Sequence, residues 1–460
     1  MKNKLFIRIL SSAILLVLLL SFASCALIEA PVGISKAEIN DNGELVLTYT
    51  NGESENLGVV VGKDGEDGKD GADGKDGADG KDGADGRNGI NGKDGVNGKD
   101  GTDGSYIISD SDKIIESASA RGLISCVSIF CGFESTSYGQ TQEYANAGAG
   151  VIYKMNKELG EAFIITNYHV VYNPNSDTAD GISDEIYAYL YGSELESQAM
   201  MAEYVGGSLS YDIAVLRITE SDMIKNGNAS PASIFNSDDV NVGESAIAIG
   251  NPEGMGFSTS LGIVSVDSQY IEMLGADEET AVKFRVMRID TAINGGNSGG
   301  GLFNSSGQLI GIVNAKVQSD TVENIAYAIP SNLAKAVADN IIYYCLDTSV
   351  YKPQRPMLGI SIQVTDSHAE YDSEKERLKI VEKITVASVE SGSAAYGIFQ
   401  EGDVLKSASF GDANIEITRL HSLDFMLNVR VGDIVKFVVE RNGVEKTLEI
   451  TVKSTHLIES

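Results

Sequence analysis

Glycine occupies every third position from Gly62 to Gly104 without a break. Only glycine fits at the crowded axis of a collagen triple helix, so this strict Gly-x-y period predicts that three copies of the segment wind together. As a triple helix the segment would form a stalk of roughly 130 Å, at about 3.1 Å per residue. The repeat contains no proline, and a flexible glycine-rich linker remains the alternative interpretation.

The first 25 residues have the pattern of an export signal. Three basic residues in the first eight positions precede an apolar run over residues 9–20. Small residues then lead to Cys25, as in a bacterial lipobox, where the cysteine thiol is acylated and becomes the mature N-terminus. We therefore expect a lipid anchor at Cys25, on the extracytoplasmic face of a bacterial cell membrane. Ordinary cleavage near Ala26 with full secretion, and an uncleaved signal anchor, stay open.

The segment at residues 26–61 predicts a small β-hairpin. Apolar residues alternate from Leu45 to Tyr49, the turn sequence Asn51-Gly52 follows, and a second apolar run occupies residues 57–61. A unit this short buries little core by itself. We expect it to associate with copies of itself or with the segment that follows.

One serine lies in a run of glycines, Gly296-Asn297-Ser298-Gly299-Gly300. Glycine lets the backbone adopt positive φ and approach a substrate closely. The N–H groups of such a turn can converge on an oxyanion. Ser298 is therefore a candidate nucleophile, although the pattern alone also fits a tight glycine turn that happens to contain a serine.

Two upstream residues supply the partners that a serine nucleophile needs. His169 follows an apolar, strand-like run, and Asp212 opens an alternating β pattern at residues 213–218. A histidine can take the proton of the serine, and a buried carboxylate can fix the tautomer of that histidine and stabilise its protonated form. The chain order His169, Asp212, Ser298 is that of chymotrypsin-type enzymes.

Residues 148–342 resemble the HtrA (DegP-like) branch of the trypsin-fold serine proteases. The resemblance rests on the three motifs just described and on further segments at residues 147–152, 242–252 and 326–331. It implies a mostly β protein in which two six-stranded antiparallel barrels enclose the site in the cleft between them. His169 and Asp212 would belong to the first barrel and Ser298 to the second.

The same resemblance implies roles for other residues. The backbone N–H groups of Gly296 and Ser298 would form the oxyanion hole, and Asn314 and Ala315 would line the specificity pocket. It also implies a serine endopeptidase that hydrolyses unfolded or misfolded proteins, assembles as a homotrimer, and needs no metal or organic cofactor.

Residues 357–460 resemble the PDZ domain of this family. Met357-Leu358-Gly359-Ile360 matches its carboxylate-binding loop and first strand. Such a domain binds an extended peptide C-terminus by strand addition, and a degenerate copy kept as a spacer stays open. The predicted organisation is an export signal at 1–25, a hairpin segment at 26–61, a collagen-like repeat at 62–104, a protease domain at 105–347, a linker at 348–356 and a PDZ domain at 357–460.

The 460-residue chain has a formal net charge of -31, which argues against a nucleic-acid partner. The combined features predict a membrane-tethered extracytoplasmic endopeptidase that binds substrate C-termini through its PDZ domain. The competing class is a catalytically silent, stalked surface adhesin. A scaffold of that kind has no need for a complete His–Asp–Ser set.

The Gly-x-y repeat predicts threefold symmetry by its period, and the resemblance of the protease domain to HtrA implies the same symmetry. Each would lower the entropy cost of assembling the other. We expect multi-angle light scattering of the mature ectodomain to give the mass of a trimer. A monomer at micromolar concentration would contradict this expectation.

Overall fold

The computed structural model describes two compact units, Met1–Lys99 and Asp100–Ser460. Cys25, the Gly-x-y repeat and Ala315 lie outside the described residues. Among the described residues, no helix is long and apolar enough to cross a membrane. The described residues are 34–40, 42, 44–59, 110–137, 140–193, 196–314, 325–346, 350, 352–373 and 376–459.

The first unit contains a three-stranded antiparallel sheet, β1 (Ile34–Ile39), β2 (Glu44–Tyr49) and β3 (Ser54–Val59). The predicted turn at Asn51-Gly52 joins β2 to β3, and Gly52 has the positive φ of 86° that such a turn requires. The sheet has one strand more than the predicted hairpin, because β1 also pairs with β2.

The second unit begins with helix α1 (Asp110–Leu123), followed by a barrel-like sheet in the strand order β8-β7-β4-β5-β6-β10-β9. Strands β8 and β9 are one extended stretch interrupted at Ala202, and this stretch pairs with β7 at its start and with β10 at its end. Counted as a single strand, it leaves six strands around the barrel. The strands are β4 (Cys126–Ser137), β5 (Gln140–Asn156), β6 (Glu161–Thr166), β7 (Glu185–Leu190), β8 (Met200–Met201), β9 (Glu203–Ser208) and β10 (Ile213–Ile218).

A closed six-stranded antiparallel barrel follows, in the order β11-β12-β13-β16-β15-β14. The predicted two-barrel architecture is thereby confirmed. Two short helices, α2 (Tyr168–Val171) and α3 (Asp222–Asn226), precede this barrel, and α4 (Ser331–Leu346) follows it. The strands are β11 (Ser245–Gly250), β12 (Ser258–Leu274), β13 (Ala281–Ile289), β14 (Gly301–Phe303), β15 (Leu309–Asn314) and β16 (Ala326–Pro330).

Each barrel has its own apolar interior, and a third apolar cluster joins both barrels to α4. Ile129, Ile164 and Leu216 in the first barrel are fully buried. Burying one such side chain contributes about 1.5–3 kcal/mol relative to leaving it exposed. The interiors therefore fix the two barrels as a rigid frame for the loops between them.

Two free cysteines, Cys126 and Cys131, are part of this packing. Burial raises the pKa of each thiol to about 12. Both therefore stay uncharged at neutral pH and act as small apolar side chains.

The C-terminal part adds a sheet in the order β18-β19-β20-β22-β23, with β21 paired to β20 and with β18 at its edge. A short two-stranded sheet pairs β17, just before this domain, with β24 at the end of the chain. The strands are β17 (Gln354–Pro356), β18 (Ile360–Asp372), β19 (Arg377–Val389), β20 (Val404–Phe410), β21 (Ala413–Glu416), β22 (Ile434–Arg441), β23 (Val444–Thr451) and β24 (Leu457–Glu459).

One buried asparagine joins helix α4 to the linker and to the C-terminal domain. The side-chain amide of Asn340 donates to the carbonyls of Gln354 and Leu427, each at 2.7 Å. Its oxygen accepts from the N–H of Gln354 at 3.1 Å. Because Asn340 is 0% exposed, losing any of these bonds would leave a buried polar group unpaired, which costs about 1–3 kcal/mol.

Candidate active site

The turn that carries Ser298 depends on its glycines. Gly296 and Gly299 have φ values of 87° and 81°. A Cβ on Gly296 would lie 2.1 Å from the carbonyl oxygen of Asn251, and one on Gly299 would lie 2.2 Å from that of Ala149. No other residue type fits at these two positions, so the glycines set the backbone path on either side of the serine.

His169 and Asp212 are presented by adjacent strands of the first barrel. His169 is in the short helix α2, directly after β6, and Asp212 directly precedes β10, which pairs with β6. Asp212 has a positive φ of 51°, a conformation that costs a non-glycine residue about 1–2 kcal/mol. The side chain of Asn167 donates to the carbonyl of Asp212 at 2.8 Å and holds it in this conformation.

The structure brings the three predicted residues into one hydrogen-bonded chain. The distance from His169 Nε2 to Ser298 Oγ is 2.8 Å, and that from His169 Nδ1 to Asp212 Oδ2 is 2.7 Å. The backbone N–H of His169 also donates to Asp212 Oδ1 at 3.0 Å. With Nδ1 donating to the carboxylate, Nε2 is left as the acceptor for the serine proton.

Asn314 is buried beside the carboxylate of Asp212. Its side-chain amide donates to Asp212 Oδ2 at 2.9 Å, and the residue is 1% exposed. The amide therefore contacts the carboxylate, and the contribution of Asn314 to the specificity pocket stays a prediction. Asn167 was missed at the sequence level, where the only signal was an asparagine between a strand and the histidine.

The peptide group between Gly295 and Gly296 has a defined orientation. The carbonyl of Gly295 accepts from the N–H of Glu253 at 2.8 Å. In a trans peptide the N–H points away from the carbonyl, so the N–H of Gly296 is directed to the side opposite Glu253. The carbonyl of Ser298 accepts from Ala149 N at 2.8 Å, which ties the turn to the first barrel.

A cavity of about 610 Å³ opens over Ser298 and His169. Its other lining residues include Ala147, Tyr172 and Glu278. A groove of this size, with the nucleophile and the base on its floor, can take an extended peptide segment.

The four predicted PDZ residues form one stretch that leads into the edge strand β18. The N–H of Met357 donates to the carbonyl of His456 at 2.7 Å, and the carbonyls of Leu358 and Gly359 accept from Ala395 and Glu390. Within the described part of the chain, the N–H groups of Leu358 and Gly359 have no hydrogen-bond partner. Ile360 begins β18 and is opposite Val389.

We expect Asn314→Leu to slow the reaction of Ser298 with a fluorophosphonate, because Asp212 loses one of its donors. A hydrogen bond to a charged group contributes ~1.5–3 kcal/mol, or about 10- to 150-fold in rate. The measurement is the second-order labelling rate constant, together with kcat and KM on a peptide, where only kcat should fall. Asn304→Ala, which removes another buried asparagine of the second barrel, should leave the rate near that of the parent. An unchanged rate in a folded Asn314→Leu variant would contradict the assignment.

Sequence models of two known families match parts of the chain. The sequence model of the trypsin-like peptidase domain matches residues 148–312, and that of the collagen triple helix repeat matches residues 57–106. The solved HtrA-type protease AlgW with tripeptide is 27% identical, with 75% of this chain and 98% of that chain covered and a TM-score of 0.49.

Three curated bacterial relatives carry the family assignment. Serine protease Do-like HtrA of Bacillus subtilis (strain 168) is 33% identical over 331 residues, which are 70% of this chain and 66% of that protein. HtrB of the same strain is 33% identical, over 66% and 61%. HtrA of Lactococcus lactis subsp. cremoris (strain MG1363) is 32% identical, over 72% and 77%. The aligned part thus spans slightly less than two thirds of each Bacillus relative but more than three quarters of the Lactococcus one, and the chain belongs to the Do-like HtrA family of serine proteases.

Proposed function

We propose that this chain is an extracytoplasmic serine endopeptidase that hydrolyses unfolded or misfolded proteins. The hydrogen-bonded chain from Asp212 through His169 to Ser298 carries the proposal, because its two short contacts place a base on the serine and a carboxylate on the base. Family membership supports the same reaction.

The reaction is acyl transfer. Ser298 Oγ attacks the scissile carbonyl carbon while its proton passes to His169 Nε2, and Asp212 stabilises the imidazolium that forms. Nε2 then gives the proton to the leaving amine, so that the C–N bond breaks and an acyl-enzyme remains. A water molecule, deprotonated by the same nitrogen, hydrolyses the acyl-enzyme and restores the serine.

The backbone N–H groups of Gly296 and Ser298 are assigned to the oxyanion that develops during the attack. The bond from Glu253 to the carbonyl of Gly295 supports this role for Gly296, since it fixes the direction of the neighbouring N–H before substrate arrives. The amide of Asn314 is assigned to the positioning of Asp212. Asn314 and the residue that follows it in the sequence, Ala315, are assigned to the specificity pocket on the acyl side of the cut.

The C-terminal domain is proposed to bind the C-termini of polypeptides as a PDZ domain. Three features support this function: the edge position of β18, the unpaired N–H groups of Leu358 and Gly359, and the positive φ of 73° at Gly359. A Cβ on Gly359 would lie 2.2 Å from Cβ of Ser393, so the loop conformation requires glycine. Met357 contributes its half-exposed side chain rather than its N–H, which is already bonded to His456.

We expect a fluorescent peptide with a free C-terminal carboxylate to bind the mature chain more tightly than the same peptide with a C-terminal amide. The reason is that the backbone N–H groups of Leu358 and Gly359 can donate to a carboxylate, which the amidated peptide lacks. Fluorescence anisotropy measures the two affinities. Equal affinities would contradict carboxylate recognition by residues 357–360.

The protease and PDZ domains are proposed to be tethered to the membrane through an acylated Cys25. The chain is proposed to assemble as a trimer through the Gly-x-y stalk and the protease domains. The match of the collagen repeat model to residues 57–106 supports the stalk. A mature N-terminus without an acyl chain, determined by mass spectrometry, would overturn the lipid anchor.

Ser298→Ala should abolish both covalent labelling by a fluorophosphonate and cleavage of an unfolded protein such as reduced, alkylated casein. The nucleophile is then missing while the fold is retained, because Ser298 is replaced by a smaller residue at a buried site. Ser306→Ala, at an exposed turn, is the matched control and should leave both activities intact. Cleavage that survives in Ser298→Ala, or absence of labelling in the parent chain, would remove the hydrolase proposal and favour a silent binding protein.

A further inference from the structure

The residue four positions before Ser298 is an asparagine followed by glycine, Asn294-Gly295. Both residues are exposed. The side chain of Asn294 and the N–H of Gly295 have no hydrogen-bond partner in the described part of the chain. We propose that Asn294 is a site of spontaneous deamidation. This modification inactivates the enzyme by distorting the turn of residues 294–298, which we call the oxyanion turn.

The chemistry needs only these two residues and water. The backbone nitrogen of Gly295 attacks Cγ of Asn294, the N–Cγ bond forms, and the Cγ–Nδ2 bond breaks. Ammonia leaves with the proton from the glycine nitrogen, and a cyclic succinimide remains. Water then opens the ring at Cγ to give an aspartate, or at the α-carbonyl to give an isoaspartate whose backbone runs through the former side chain. Glycine favours the first step because it has no side chain to shield its nitrogen and has a wide choice of φ and ψ.

Two other Asn-Gly steps among the described residues are protected. Asn51 is held by both side-chain atoms, with Nδ2 donating to Glu53 Oε2 at 2.8 Å and Oδ1 accepting from Glu53 N at 3.0 Å. At Asn226-Gly227 the attacking nitrogen is occupied, since Gly227 N donates to Met223 O at 2.9 Å. Neither restraint exists at Asn294-Gly295.

A fourth step, Asn442-Gly443, provides an internal comparison. It forms the two-residue turn between β22 and β23, and the residues on either side of it, Arg441 and Val444, are paired across the ladder. The side chain of Asn442, like that of Asn294, has no hydrogen-bond partner in the described part of the chain. Deamidation there would modify the C-terminal domain and leave the oxyanion turn intact.

The consequence at position 294 follows from two backbone contacts. The carbonyl of Asn294 accepts from Asn297 N at 3.1 Å, and that of Gly295 accepts from Glu253 N at 2.8 Å. An isoaspartate adds one atom to the backbone between them and turns the α-carbonyl into a free carboxylate. The N–H of Gly296 is then displaced, and a negative charge enters the region where the oxyanion develops. This consequence rests on the proposed hydrolase function, and loss of one oxyanion donor typically costs about 10²–10³ in kcat.

The test follows two quantities over time in the mature chain at mildly alkaline pH. Peptide mapping by mass spectrometry, with an isoaspartyl methyltransferase assay, measures conversion at each Asn-Gly step. Fluorophosphonate titration measures the active sites that remain. We expect position 294 to convert ahead of positions 51 and 226, and the titratable sites to decline with the same time constant as isoaspartate appears at position 294. An intact amide at Asn294 after Asn226 has converted, or isoaspartate at position 294 with undiminished titration, would overturn the proposal.

Three variants separate the possible causes. Gly295→Ala should slow conversion and inactivation together by at least about tenfold, or ~1.4 kcal/mol in activation free energy. The site accepts the change, because the added Cβ meets only Glu253 Oε1, at 3.5 Å. Asn442→Gln should leave the inactivation rate unchanged. Ser298→Ala should still convert at position 294 at the parental rate, because the chemistry does not use the serine, so a failure of the hydrolase proposal is distinguishable from a failure of this one.

Discussion

The carboxylate of Asp212 is the group on which the arrangement of the site depends. It is 7% exposed and accepts hydrogen bonds from the ring and the backbone N–H of His169 and from the amide of Asn314. A buried carboxylate with fewer donors would be costly. The three donors come from two different barrels, so the carboxylate can accept all three hydrogen bonds only when the two barrels are correctly placed against each other.

The chemistry-bearing residues were readable from the sequence because each belongs to a short motif with a local cause. Gly296 and Gly299 have positive φ, which favours glycine. The histidine and the aspartate each adjoin an apolar strand, so the local sequence marks all of these positions. The two barrels were predicted from the resemblance to the HtrA family, and the alternating apolar residues indicated only individual strands.

The supporting contacts could not be read in this way. Asn314 is the last residue of the buried strand β15, a place equally suited to a pocket wall, and its contact with Asp212 joins residues 102 positions apart in the sequence. The interruption at Ala202, which divides one barrel strand into β8 and β9, likewise depends on the pairing partners on both sides. Contacts between residues that are far apart in the sequence produce no periodic pattern of apolar residues in either segment.

The amide of Asn340 has a mechanical consequence. It joins helix α4, which packs against both barrels, to the linker backbone and to the C-terminal domain through three hydrogen bonds at a fully buried site. A displacement of the C-terminal domain therefore has to break buried hydrogen bonds or move α4 with it, and α4 packs into the apolar cluster that joins both barrels.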